Sequence, residues 1–420
     1  MMVFVSLYGI MDGLFVSNFA GKTPFAAISL ILPFVAAMGS VGYMIGTGGA
    51  AIVAKTLGEG QRDKANQIFS MLIVFTGIIG VILTIIGLLI LRPVAMAMGA
   101  AGELLENCVR YGSIMLSFQT AFMLQTVFQS IFPVAEKPKL GLALTVTSGM
   151  IDILLNALFI IGFGWGIVGA AVSTVIGQII GSVAPVLYFL RHNDSLLRFV
   201  KPIFHGRTIL KACTNGSSEL MTALSSSVVG ALCNLQLMKL AGENGIAAYG
   251  VIIYANYIFY AVFIGYSMGC APIVSYHFGA ENHLELKNLF RKSLILIGAG
   301  SVLLTGAAIL FSRPIARFFV GYDPALLELS GRAFALYSVS FLICGFNIFA
   351  SAFFTALNNG LISAIISFGR TLLFQAVAIL ALPALLGIDG VWLAATVSET
   401  MALVLAVFFF LQKKGRYHYA

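Results

Sequence analysis

The chain has 420 residues, 60% of them hydrophobic, while 24 Lys and Arg against 16 Asp and Glu give a net charge of +8. Soluble globular proteins carry about 25% charged residues and about 45–50% apolar ones, so charge is depleted more than twofold here and the mean hydropathy reaches +1.00. This excludes a disordered chain, a secreted disulfide scaffold and a soluble nucleic-acid binder, and it points to an all-α polytopic membrane protein.

Each crossing of the hydrocarbon core needs about 20 apolar residues. Charged and Gly/Pro-rich breaks divide the chain into twelve spans: 1–18, 26–54, 66–91, 106–132, 140–163, 167–190, 214–240, 246–276, 289–312, 326–356, 361–386 and 390–411. Strands are excluded because the alternating pattern of ~10 residues that marks a membrane strand never appears. No cleavable signal pattern precedes the first span, which opens at Met1 with no basic flank. If the chain starts at the cytoplasmic face, the inner connections hold more than twice as many Lys and Arg as the outer ones. That predicts both termini in the cytoplasm and a cell-membrane location. The expected organisation is an N-lobe over 1–190, a basic cytoplasmic linker over 191–213, a C-lobe over 214–411 and a cytoplasmic tail over 412–420. Trp165 and Trp392 both fall at outer ends of spans, where aromatic side chains act as interfacial anchors.

The two lobes repeat at a constant offset of 221 residues. Ala20-Gly21 meets Ala241-Gly242, Gly48 meets Gly269, Arg92-Pro93 meets Arg313-Pro314, and Gly166-Ile167 meets Gly387-Ile388. A six-span unit returns its second copy in the same orientation, which is a parallel repeat; transporters built this way place substrate between halves and rock them for alternating access. The same offset carries the start of the seventh span to a position before Met1, so the first helix is expected to lack a couple of turns of its inner end. The stretches MDGLFVSNFAGKTPFAAISLILP, AKTLGEGQRDKANQ with its counterpart SYHFGAENHLELKN, and GWGIVGAAVSTVIGQ resemble the multidrug and toxic compound extrusion (MATE) family over essentially the whole chain. That resemblance implies a V-shaped pair of six-helix bundles around a central cavity, exporting amphipathic organic cations in exchange for H⁺ or Na⁺, with no other cofactor.

Ionisable groups inside spans cost roughly 2.5–3.5 kcal/mol each at a helix centre, so each is a candidate functional residue. Asp152 and Asn156 are spaced i, i+4 and share one helix face. With Asp12 and the hydroxyl of Thr174 they offer an oxygen cage for Na⁺ or a shared-proton site. Two carboxylates in one lobe cannot both ionise cheaply without a cation between them. The resemblance supports this set: relatives carry an Asp on the first helix, an Asn-x-x-x-Asp pair on the fifth and a Thr on the sixth. In this chain the order of the pair is reversed, moving the charge about one turn, ~5.4 Å, along the helix. Without cation binding, the same four side chains would serve as interhelical hydrogen bonds.

Arg370 and Glu399 lie at depths that agree within ~5 Å on successive antiparallel spans, and are expected to form an intramembrane ion pair. Glu219 is a third intramembrane charge near the inner start of its span, or an interfacial carboxylate facing the basic 198–211 segment. Tyr43, Gln125, Tyr254, Tyr257 and Asn347 are candidates for a substrate cavity, through cation–π and polar contacts to flat organic cations. The five cysteines, Cys108, Cys213, Cys233, Cys270 and Cys344, read as small buried hydrophobes. His192, His205, His277, His283 and His418 stand at no metal-ligand spacing and no phosphate-binding loop is present. An enzyme or ATP-driven pump is therefore not expected. A monomer in the lipid bilayer is predicted, with no nucleic-acid partner. The alternative is a flippase for a lipid-linked oligosaccharide, whose pyrophosphate would call for several cationic side chains within the spans, where only Arg370 is found.

Overall fold

The computed structural model describes residues 2–419 except Ser17, Asn18, Ala20, His192 and Tyr322; the side chains of Ile10, Leu14, Lys22 and Glu243 are also outside the described set. Of the residues weighed above, Met1 and His192 lie outside it. The described chain is helical throughout and divides into two compact units, Met1–Gly216 and Ser217–Ala420.

The first unit contains α1 (Met2–Phe15), α2 (Lys22–Gly58), α3 (Arg62–Ala97), α4 (Gly102–Ser117), α5 (Gln119–Val134), α6 (Pro138–Gly162), α7 (Gly166–Leu190) and α8 (Gly206–Asn215). The second contains α9 (Ser217–Gly242), α10 (Asn244–Gly279), α11 (His283–Leu310), α12 (Ser312–Val320), α13 (Pro324–Ser338), α14 (Phe341–Ala356), α15 (Gly360–Leu386) and α16 (Ile388–Tyr417). Among the described residues nine helices are long and apolar enough to cross a membrane, and the pair α13–α14, bent by 48°, makes a tenth. The pair α4–α5 breaks at Phe118, which the offset of 221 places opposite Val339 at the α13–α14 bend. With α1, the twelve predicted spans are accounted for, two of them as broken helices.

Left-handed glycines mark the repeat in the backbone. Gly21 and Gly242 (φ 102° and 59°) open α2 and α10, and Gly166 and Gly387 (φ 52° and 60°) stand at the starts of α7 and α16. Only glycine adopts such angles without a steric penalty, so these conserved offsets in Gly are read directly from the chain's geometry. The Arg-Pro repeats also acquire a role: Arg92 pairs with Glu106 at 2.8 Å, and Arg313 pairs with Glu328, each clasping one helix to the next. Both pairs are more than half exposed, so each is worth no more than ~1 kcal/mol.

Packing follows membrane rules, with small residues inside and large apolar ones outside. Gly39, Gly42 and Gly46 let α2 lie directly on α5: a Cβ at Gly42 would fall 2.7 Å from the Met123 backbone. In the second unit the small residue changes sides, and Phe263 of α10 fits against Gly345 of α14. On α3, Ile78, Val81, Ile82, Ile85 and Leu89 form an exposed stripe at helical spacing, an apolar surface suited to lipid. Cys108, Cys233, Cys270 and Cys344 are buried, while Cys213 is half-buried.

The segment after α7 is fastened to the first unit. Arg62 donates to the carbonyls of Ser195 and Leu196, the Arg198 and Val200 amides donate to the side chains of Asn66 and Ser70, and Phe199 stacks on Phe69 at 5.0 Å. Next, α8 docks on α2 through Gly48 and Gly216, where a Cβ on either would fall on backbone of the other element. Gly48→Val is expected to destabilise the first unit by about 1–3 kcal/mol, the range for an overpacked contact, with a lowered Tm in detergent as the check.

Two expected placements change. Trp165 is half-exposed at the start of α7, but Trp392 is buried in the second unit's core, one turn inside α16, and is not an interfacial anchor. At the C-terminus α16 continues to Tyr417, and the buried Tyr419 hydroxyl donates to the Phe410 carbonyl at 2.9 Å.

Candidate functional site

Three helices of the first unit meet at Asp152, and the sequence explains why they can. Gly177 of α7 lies against the Ser148 carbonyl at 3.2 Å and the Asp152 Cβ at 3.4 Å, measured from where its own Cβ would stand. Gly149, beside Asp152 on α6, receives the ring of Tyr8 from α1, and a Cβ there would sit 2.7 Å from the Tyr8 ring. Tyr8 and Asp12 are one turn apart, so the ring that docks α1 also presents Asp12 to α6.

The Asn156 amide is the centre of the resulting network. Its Nδ2 donates to Asp12 at 2.7 Å and to Asp152 at 3.3 Å, while its Oδ1 accepts from the Ser173 hydroxyl at 2.8 Å. The Asp12 and Asp152 carboxyls stand close enough to share a hydrogen bond, and the hydroxyls of Ser173 and Thr174 reach Asp152. Thr174 also donates to the Ala170 carbonyl at 3.0 Å, and Ser148 ties α6 to α7 through Gly177 O at 2.7 Å. Asp152 and Asn156 are fully buried and Asp12 is partly so. Asp12, Asp152, Asn156 and Thr174 are thus brought together, joined by Ser173 and Tyr8, which sequence reasoning passed over. Tyr8 carries a detectable signal, its i, i+4 spacing to Asp12; Ser173 carries none beyond adjacency to Thr174.

Immediately after Asn156 the helix loosens into a π-helical turn, Ala157–Gly162. Such turns recur at functional sites because they break the i→i−4 ladder and re-aim the side chains around them. Among the described residues no cluster of three or more His, Cys, Asp or Glu forms a metal site. The only candidate ligands for a bound Na⁺ are therefore this mixed set of two carboxyls and hydroxyls. The amide nitrogen rather than its oxygen faces the acids, which favours proton sharing over a full oxygen cage.

The second unit gathers charge differently. Arg370, in a π-helical turn at Gly369–Leu373, places Nη1 3.4 Å from Glu399 Oε1. Glu399 also accepts from the Tyr260 hydroxyl at 3.2 Å and from Asn347 Nδ2 at 2.7 Å. Ser398 donates to the Arg370 carbonyl at 2.8 Å, fixing α16 to α15. Glu219 faces into the unit, within electrostatic reach of Arg370. Asn347, a cavity candidate in the sequence, is engaged with Glu399. Of the other cavity candidates, Tyr43 meets Phe122 edge-on, Gln125 is buried beside Gly181, Tyr254 stacks on Phe319 at 5.9 Å, and Tyr257 is largely exposed.

The MatE family model matches residues 1–158 and 220–380. The Multidrug export protein MepA of Staphylococcus haemolyticus is 24% identical over 411 residues, covering 98% of this chain and 90% of that protein. The protein of the same name from Staphylococcus aureus is 22% identical over 402 residues, 96% of this chain and 88% of its own. Among solved structures, the outward-facing conformation of a multidrug resistance MATE family transporter superposes with a TM-score of 0.94 at 21% identity. It covers 100% of this chain and 95% of that one. A MOP superfamily transporter from Pyrococcus furiosus, described as having a binding pocket of reverse polarity, superposes with a TM-score of 0.90 at 22% identity over 99% of this chain and 93% of that one.

Proposed function

This chain belongs to the MatE family, and on that premise we propose that it is a multidrug efflux transporter of the cell membrane. It exports amphipathic organic cations in exchange for H⁺ or Na⁺, with both termini in the cytoplasm. The observation that carries the reading is the contact of Asn156 with both Asp12 and Asp152, which makes the attachment of α1 depend on the charge of two buried acids. With both acids ionised, Asn156 and the hydroxyls are the donors that hold them, and their mutual repulsion is relieved by a proton or Na⁺ between them. Occupancy therefore alters how α1 packs on α6. A cation and a drug that bind opposite states best can then drive each other across the membrane. The exposed ring of Tyr257 and the stacked Tyr254 supply π faces for a flat cation. Arg370 is committed to Glu399, which speaks against a pyrophosphate-binding role and for drug export over a flippase.

The test is transport of a fluorescent organic cation into liposomes holding the purified protein, under an imposed proton gradient or an imposed sodium gradient. Uphill accumulation under one of the two is expected and names the coupling ion. Accumulation under neither, with the same protein folded by its melting profile, would overturn antiport.

A further inference from the structure

We propose that Arg370 is a tethered cation. Its guanidinium takes the place of a free alkali-metal cation beside Glu399, so that the second unit does not bind Na⁺ and any ion coupling is left to the first. The inference rests on the proposed role of Asp12 and Asp152 only for that last clause.

Both units bury two carboxylates among their spans, and the two pairs start on equivalent helices: Asp12 on α1 and Glu219 on α9, one offset of the repeat apart in the fold. The surroundings then diverge. In the first unit the acids meet an amide and hydroxyls, all neutral donors, and their charge is balanced by nothing that the chain itself provides. In the second unit Arg370 lies against Glu399 and within reach of Glu219. The position equivalent to Arg370 in the first unit is Gly149, where the Tyr8 ring fills the space instead. The position equivalent to Glu399 is Gln178, also neutral. The second unit has thus gained an anion and a cation together, on helices that Ser398 locks to the Arg370 backbone.

The shell around Glu399 has the composition of a cation site. It contains a carboxylate, the Tyr260 hydroxyl and the Asn347 amide, and Asn347 Oδ1 is fully buried with no hydrogen-bond partner among the described residues. A buried amide oxygen left without a donor carries an energetic cost unless something positive or protic satisfies it. Removing the guanidinium leaves a carboxylate and this spare oxygen facing a vacated space, and oxygen donors of this kind are what a hard cation requires.

The experiment starts from the Asp12→Asn, Asp152→Asn chain, which silences the first unit, and measures Tm in detergent as Na⁺ replaces N-methylglucamine at fixed pH. This parent is expected to show no Na⁺-dependent Tm. Adding Arg370→Gln should create one, a rise of about 5 °C at saturating Na⁺, and adding Glu399→Gln as well should abolish it. Arg370→Lys, which keeps the charge, should stay insensitive. If Arg370→Gln is folded but gains no Na⁺ response, or if the parent already responds through the second unit, the proposal is overturned. Where Arg370→Gln proves too unstable to isolate without Na⁺, its recovery in Na⁺ but not in N-methylglucamine supports the proposal. Failure in both, with the Arg370→Gln, Glu399→Gln chain folded, overturns it. A wrong assignment of Asp12 and Asp152 would appear separately, as a Tm response of the unsubstituted protein that their replacement leaves unchanged.

Discussion

Replacing Asp152 with Asn is expected to abolish uphill export while leaving a folded protein in the membrane. The substitution is nearly isosteric, so Gly177 and Tyr8 keep their packing against this stretch of α6. What it removes is one of the two charges whose neutralisation distinguishes the ion-bound state from the ion-free one. The drop in the accumulation ratio of a fluorescent cation should be about 5–150-fold, the span of a coupling free energy of 1–3 kcal/mol. Downhill movement of the same cation should survive, because coupling and permeation are separable properties. If Asp152→Asn accumulates substrate as the unsubstituted protein does, the buried acids serve packing alone.

The largest loss of stability is expected from Glu399→Leu. Arg370 would lose its 3.4 Å partner, and the Tyr260 hydroxyl and the Asn347 amide would lose their acceptor at the same time. Breaking a buried pair by removing one partner costs about 3–5 kcal/mol, whereas replacing both with apolar groups is often close to neutral. Arg370→Met combined with Glu399→Leu should therefore recover most of the stability that Glu399→Leu loses. Thermal unfolding of the three proteins in the same detergent reads the result. Glu219 remains near Arg370 in the single variant, which places the expected loss toward the lower end of that range.

The features that could be read from the sequence were those for which a membrane sets a high cost. Asp12, Asp152, Arg370 and Glu399 stand out because a charge within a span is expensive, and the repeat stands out because Arg-Pro and the paired glycines recur at a fixed spacing. Hydroxyls are cheap in a helix, since they bond back to the preceding turn, as Thr174 does to Ala170. Ser173 and Ser148 accordingly gave no signal that they face Asp152. The way the Asn156 amide is turned is set by its neighbours on two other helices, and no spacing within α6 encodes it. The breaks at Phe118 and at the α13–α14 bend carry neither Pro nor Gly to announce them. Trp392 was misplaced because one turn of helix separates an interfacial ring from a core ring, a distance smaller than the uncertainty of any span boundary.

The two π-helical turns bear on the history of the chain. A π turn accommodates one more residue than the α-helical turn it replaces, so each marks a one-residue insertion absorbed without breaking the helix. They do not lie at equivalent places: Gly369–Leu373 corresponds to 148–152, ahead of the first unit's turn at Ala157–Gly162. Between the two positions the copies are out of phase by one residue, about 100° around the helix axis. Asp152 and Asn156 fall in or beside this window, so the residues aligned with them by offset, Leu373 and Val377, point in other directions than theirs. Because each copy holds one such insertion, the register closes again at Gly166 and Gly387 and the lengths stay equal. The gapless alignment therefore conceals two compensating events. The duplicated helices drifted apart in rotation where their chemistry diverged, with no change in the length of either.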